Sequence, residues 1–192
     1  MHPRVIPDVT PEAYVPTMTS SQPELVAANG RRFAGFAAAV LVFIIDPSSR
    51  RFLLLSSPAK RLRPGWEIVN GGVEAGETLL AAVRREVAEE AGPSVALDVL
   101  GTVHAWTWRY DDEVQHMVCT AFVATYLGGD VEPGDDMAGS AIRWATLEEV
   151  RELERSSSLI PDHAWVFERA LECFDLWSSR EANAQPGWET GA

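Results

Sequence analysis

Glu86, Glu89 and Glu90 stand at i, i+3 and i+4 within LLAAVRREVAEEAG, a stretch with the apolar period of an amphipathic helix. At about 100° per residue they fall together on one side, beside a buried stripe of Leu80, Val83, Val87 and Ala91. Carboxylates at that spacing repel, and they lie toward the C-terminal end, where the helix dipole also disfavours negative charge. The arrangement calls for something positive. A single Arg can supply it, and Arg84 and Arg85 are adjacent. Three convergent carboxylates equally make a hard-oxygen site for Mg²⁺ or Mn²⁺, which keep waters and accept substrate phosphates as remaining ligands. Taken alone, the pattern also fits a solvated acidic face, the common case for charge on a helix.

The wider context favours the metal. From Gly71 to Pro93 the chain reads GGVEAGETLLAAVRREVAEEAGP, which resembles the Nudix box, GX5EX7REUXEEXGU with U aliphatic. Gly71, Glu77, Arg85, Glu86, Val87, Glu89, Glu90 and Gly92 all match; Pro93 departs from the last aliphatic position, after the helix stop. The resemblance implies an α/β/α sandwich with a mixed β-sheet, and hydrolysis of a nucleoside diphosphate linked to another moiety. It assigns Glu86, Glu89 and Glu90 to a divalent metal, Mg²⁺ or Mn²⁺, joined by a main-chain carbonyl at Asn70 or Gly71. It makes Glu77 and Arg85 a brace that orients the helix. For the base that takes the proton of water, Glu86 comes first, and Asp135 or Asp136 of the distal acidic loop second. The alternative is a Nudix-fold ligand-binding or sensor module without turnover.

The elements that must position these residues follow from punctuation and period. Thr78 is a suitable N-cap and Gly92-Pro93 a suitable stop, so one helix is expected from about Thr78 to Ala91, closed by Gly92 in the left-handed conformation. Upstream, Phe33 to Ile45 and RFLLLS, separated by the turn DPSSR, read as a hairpin buried on both faces. Trp66 to Val69 is a short extended piece leading into Asn70-Gly71-Gly72. Downstream come two long strands, Val95 to Trp108 and Val114 to Tyr126, a loop containing GDDMAGS, and a short strand ending at Trp144. Two helices follow, the first capped by Thr146, the second running through HAWVFERALECFDLW. Five prolines before residue 30 argue for an extended arm over 1–30, leaving 31–180 as the Nudix domain and 181–192 as a flexible tail.

Lys60, Arg61 and Arg63, in the loop before Trp66, are candidate phosphate contacts, with Arg109 a weaker one. Trp66, Trp106 and Trp108 can stack on a ring, although core packing is the commoner fate of a strand Trp. His104 and His116, without clustered partners, read as structural. The net charge of -12 excludes a nucleic-acid-coating or anionic-membrane surface and leaves a nucleotide-type small substrate, given a cation to offset repulsion. Cys119 and Cys173 lack CxxC spacing and read as free buried thiols. No signal or membrane-length apolar segment stands out, so a cytoplasmic protein is expected. The arm and the amphipathic terminal helix leave a homodimer open. Strings such as SQPWPFPxS and LLTxRS, which mark particular Nudix subfamilies, are absent, so nucleotide sugars, ADP-ribose-like dinucleotides and modified nucleoside triphosphates all stay open.

Overall fold

The computed structural model describes residues 23–56, 65–156 and 158–178. Lys60, Arg61 and Arg63 lie outside these, as do most of the expected arm and the tail. The chain divides into Met1–Gly35 and Phe36–Ala192. In the first unit, β1 (Glu24–Val26) and β2 (Arg32–Ala34) pair antiparallel across a turn containing Gly30. The run expected from Phe33 to Ile45 is therefore interrupted. The Gly35 N–H donates to the Pro23 carbonyl, and a Cβ at Gly35 would stand 2.9 Å from that oxygen.

The second unit starts its sheet with β3 (Ala37–Asp46) and β4 (Arg51–Ser56). Strand geometry sends alternate side chains to opposite faces, and here both faces are buried. Ala39, Leu41, Phe43 and Ile45 enter one core with Phe52 and Leu54; Val40, Val42 and Ile44 enter a second with Leu53 and Leu55. Further strands are β5 (Gly65–Glu67), β6 (Val69–Gly72), β7 (Ala96–Trp108), β8 (Met117–Gly128), β9 (Ala141–Ala145) and β10 (Ser158–Ile160). Helix α1 (Leu79–Glu86), continued by a π-helical turn over Val87–Ala91, covers the second core with Ala82, Val83, Val87 and Ala91. Helices α2 (Leu147–Ser156) and α3 (Ala164–Ser178) cover the first. This is the α/β/α sandwich. Phe167 of α3 packs edge-on against Phe43 and Phe52, with centroids 4.9 and 5.2 Å away.

The sheet is mixed, with the order β10-β5-β4-β3-β8-β7, and it forks. β3 meets β4 only at Ile45↔Phe52 and Asp46↔Arg51, then pairs with β6 from Val42↔Val69 to Ala39↔Gly72. β3 runs parallel to β8, and β10 parallel to β5; the remaining pairs are antiparallel. β10 has no counterpart in the sequence reading, because three residues carry no legible period. No described helix is long and apolar enough to cross a membrane.

One irregularity in β7 decides where its aromatics face. Opposite β8, Gly101 pairs with Val123, yet His104, Trp106 and Trp108 pair with Ala121, Cys119 and Met117, and the register shifts between Thr102 and His104. Simple alternation from Gly101 would put residues 103, 105 and 107 on that face. The extra residue, Val103, moves the even-numbered aromatics there instead. The Val103 carbonyl accepts 2.8 Å from Nε of Arg169 on α3.

The start of α2 is closed reciprocally: the Glu149 amide donates to Thr146 Oγ1 (3.2 Å) and the Thr146 amide to Glu149 Oε2 (2.7 Å). The Thr146 amide, and then the Arg143 guanidinium, pull the Glu149 carboxyl from an ordinary 4.5 down to about 2. Lowering in the folded state means that this stability is fully present above the unfolded value and is lost as pH falls through the folded one. Glu149→Gln is expected to lower stability by about 1 kcal/mol at pH 7. In urea denaturation followed from pH 7 to 2, the gap from the parent should close between about 4.5 and 2.

Candidate active site

Thr78 caps α1 as expected, its Oγ1 accepting from the Ala81 amide at 3.1 Å. The far end differs from a plain α-helix. The Gly92 N–H reaches back five residues to the Val87 carbonyl (3.1 Å), which closes a π turn, a feature frequent at functional sites. Gly92 has φ +118° with ψ 146°, so it is not the left-handed helical cap foreseen from the sequence. The widened turn presents the carbonyls of Glu89 and Ala91 to the following loop, where they accept from the amides of Gly134 (3.1 Å) and Glu132 (2.8 Å). A Cβ at Gly92 would lie 2.9 Å from the Glu132 carbonyl oxygen, and one at Gly134 would lie 3.0 Å from that of Glu89. Two glycines thus let the acidic loop dock on the helix end.

That docking delivers Asp135, at φ +49°, to the cleft lined by the helix carboxylates. The Asp136 side chain is outside what the structure describes.

Glu86 and Glu90 are buried, 7% and 2% exposed, whereas Glu89 is half-buried. Both buried carboxylates lean on β6. Glu90 Oε2 accepts from the Asn70 amide at 2.9 Å. Glu86 lies so close to Gly71 that a Cβ there would be 1.9 Å from its Oε1, so only glycine leaves room for the carboxylate. Asn70 Nδ2 also donates to Glu67 Oε2 at 3.1 Å, which brings a third buried carboxylate to the same cleft. Sequence reasoning missed Glu67. The available signal was a charged residue inside the otherwise apolar WEIV segment.

Arg85 ties the group together. Its Nε and Nη2 hold both Glu77 oxygens at 3.0 Å, Nη1 donates to Glu86 Oε1 (2.8 Å) and Glu89 Oε2 (2.9 Å), and Nη2 also reaches the Gly72 carbonyl (2.7 Å). Glu77, foremost, raises the guanidinium pKa still further, and Arg85 in turn holds the Glu77 carboxyl below its usual range. Glu77 Oε2 also accepts from the Glu74 amide, so the ion pair fastens the approach loop to the helix.

Among the described residues, no three acidic, His or Cys side chains are arranged to share one ion as they stand. Glu86 and Glu89 are turned to Arg85 Nη1 instead. The donor chemistry nevertheless fits a hard divalent cation, since every side-chain donor is a carboxylate oxygen and Gly71 leaves space at Glu86.

Aromatic side chains also line the cleft. His104 stacks on Trp106 (centroids 5.7 Å, planes 20° apart) and meets Trp165 edge-on at 5.1 Å. Trp108 and Tyr110 line the same cleft and are exposed. The open cleft encloses about 1410 Å³, more than one drug-sized ligand fills. Trp66 is not among its lining residues; it packs against the first core, with the Arg143 guanidinium 5.9 Å from its ring centre. Arg109 turns to Asp112 in the YDDE turn, and His116 packs edge-on against Phe36. Cys119 is buried and Cys173 half-buried, both free, and burial raises both thiol pKa values.

A family model described as the NUDIX domain matches residues 35–163, more than half of the chain. The chain belongs to the Nudix family. It is 32% identical over 124 residues to an RNA pyrophosphohydrolase of Caulobacter vibrioides, across 57% of this chain and 69% of that protein. It is 32% identical over 125 residues to the NAD-capped RNA hydrolase NudC of Deinococcus radiodurans, across 64% of this chain but only 42% of that protein. The fold is similar to that of a Nudix hydrolase from Nitrosomonas europaea, with TM-score 0.56 at 16% identity, covering 74% of this chain and 90% of that one. Within the Nudix box of this chain, Gly71 makes room for Glu86, Arg85 clasps Glu77, and Gly92 admits the loop. Pro93 follows in a turn closed by the Val95 amide on the Gly92 carbonyl.

The two adjacent box glycines separate space from flexibility. Gly71→Ala is expected to cost about 1–3 kcal/mol through overpacking against Glu86. Gly72→Ala, with nothing within 4 Å of its Cβ, should be neutral or stabilise by up to about 1 kcal/mol. Urea midpoints of the two variants check the contrast.

Proposed function

We propose that this chain hydrolyses the diphosphate linkage of a nucleoside diphosphate bonded to another moiety, with Mg²⁺ or Mn²⁺ as cofactor. The observation that carries the reading is the pair of buried carboxylates, Glu86 and Glu90, fixed at the floor of a wide cleft by a glycine and a backbone amide. Buried carboxylates are costly unless hydrogen bonds, an ion pair or a metal ion compensate them, and a metal ion is the compensation that would also serve a diphosphate. The names of the relatives, a pyrophosphohydrolase and a capped-RNA hydrolase, agree with anhydride cleavage.

Glu86, Glu89 and Glu90 would hold the ion, with the Gly71 main chain beside them. When bound, the ion offsets the charge of the diphosphate and acidifies a water. Arg85 keeps Glu86 and Glu89 oriented from one guanidinium nitrogen, so a cation loading there competes with Nη1 for those oxygens. Glu86 is our first choice for the group that accepts the proton of water, and Asp135, held in the same cleft by the docked loop, is the second. Lys60, Arg61 and Arg63 are proposed as phosphate contacts because they shortly precede β5, which carries Glu67, in the chain. The proposed substrate is a small nucleotide, in keeping with the net charge of -12.

Saturating Mg²⁺ at about 100 times its Kd should stabilise the protein by about 2.7 kcal/mol, a Tm rise of about 5–10 °C. Glu90→Gln should lose this response, and its kcat/KM should fall about 100-fold or more. Product identification across a panel of nucleoside diphosphate derivatives checks turnover. A parent protein that forms no more metal-dependent product than Glu89→Gln would sink the enzyme reading and leave a binding module.

A further inference from the structure

Asn70 stands just before the Nudix box, which begins at Gly71, yet it touches two of the buried acids of the cleft. Its main-chain amide donates to Glu90 Oε2 at 2.9 Å, while its side-chain Nδ2 donates to Glu67 Oε2 at 3.1 Å and to the Ile68 carbonyl at 2.8 Å. Both side-chain partners are acceptors, so the carboxamide sits with its nitrogen toward them. Packing alone gives no reason for a carboxylate at residue 67, because an apolar side chain of similar size is buried there at less cost.

This contact spans the fork of the sheet. β5 ends at Glu67 and β6 starts at Val69, and across Ile68 the chain changes neighbours from β4 and β10 to β3. On the first side Glu67 is held in register with Leu55 and Ile160, and the Ile68 amide donates to the Ile160 carbonyl at 3.1 Å. On the second, Asn70 is paired with Leu41. The Asn70 side chain ties residue 70 back to 67 and 68 over that change of neighbours, and the peptide whose N–H reaches Glu90 lies inside the clasp. Arg85 serves Glu86 and Glu89; the clasp serves Glu90 by a separate route.

We propose that Glu67 and the Asn70 side chain form a positioning pair for the cation site, fixing the backbone amide that holds Glu90 and so setting how tightly the ion is bound. This rests on the reading of Glu90 as a metal ligand and adds the device outside the box that aims it. The pair acts through Glu90, not on the ion itself. It works by a hydrogen bond accepted at residue 67, so it needs an acceptor there and not a negative charge. A Glu67 that ligated or attracted the cation directly would need the charge.

The test is calorimetric titration of Mn²⁺ into the full chain at neutral pH, with thermal unfolding of each variant recorded in parallel. Asn70→Ala and Glu67→Met should each raise Kd about 10-fold, the lower end for removing a hydrogen-bonded support of a metal ligand. The double variant should be weaker than either single by no more than about two-fold, because the two side chains act as one unit. Glu67→Gln keeps an acceptor for Asn70 Nδ2 and should stay within about three-fold of the parent. The inference is overturned if Asn70→Ala and Glu67→Met lower Tm yet bind Mn²⁺ as the parent does, which would make the pair a brace of the fork alone. It is equally overturned if Glu67→Gln loses as much affinity as Glu67→Met. Should Glu67→Met not fold, the contrast between Asn70→Ala and Glu67→Gln decides. A parent that takes up no Mn²⁺ would remove the metal reading and the inference together, whereas a parent that binds it no better than the variants do removes the inference alone.

Discussion

Burying a carboxylate is the constraint around which this molecule is arranged. An ionised acid taken out of water loses several kcal/mol of hydration unless hydrogen bonds or positive charge replace it. Glu86 and Glu90 are both nearly inaccessible, and the surrounding structure accounts for much of the replacement. β6 supplies the Asn70 amide to Glu90 and a glycine surface to Glu86. β6 can do this because it pairs with the end of β3 that β4 leaves, so the fork in the sheet is also what brings strand backbone under the helix. The π turn then sets the last part of the helix against the docked loop, and the loop carries Asp135 inward.

Arg85 has two roles in that arrangement. Toward Glu77 it forms a two-pronged ion pair that locks loop to helix; toward Glu86 and Glu89 it is a single nitrogen shared between two acids. The first is geometrically strong and the second is divided, which is the division expected between a permanent fastening and a replaceable counter-charge. A chain of net charge -12 needs such local compensation to approach an anionic substrate at all.

The sequence made the helix legible because its signals are local. Thr78, the apolar stripe and the three acids are fixed by neighbours within a few residues, and the Glu77–Arg85 pair is what the resemblance to the Nudix box implies. The two-sided burial of β3 and β4 was equally readable, since no half-exposed strand is apolar at every position. What escaped depends on contacts distant in the chain. Glu67 joins the site only through Asn70 and the strand fork, and Trp66, one residue earlier, points elsewhere. The π turn arises because the 132–134 loop accepts the geometry of a wider helix end, which no helical wheel contains. Trp165 enters the cleft from a helix whose period marks it only as an exposed position.

The extra residue at Val103 also separates what can change from what cannot. The carboxylate floor is built from β5, β6, α1 and the loop after β8, whereas the parity of the aromatic wall is set within β7 by one inserted position. Were Val103 taken into regular register opposite Ala121, the downstream side chains that face the cleft would be exchanged for their neighbours, Ala105 and Thr107, and none of the carboxylate hydrogen bonds described above runs through β7. The side chains of one wall thus depend on a single strand irregularity that the carboxylate contacts do not share.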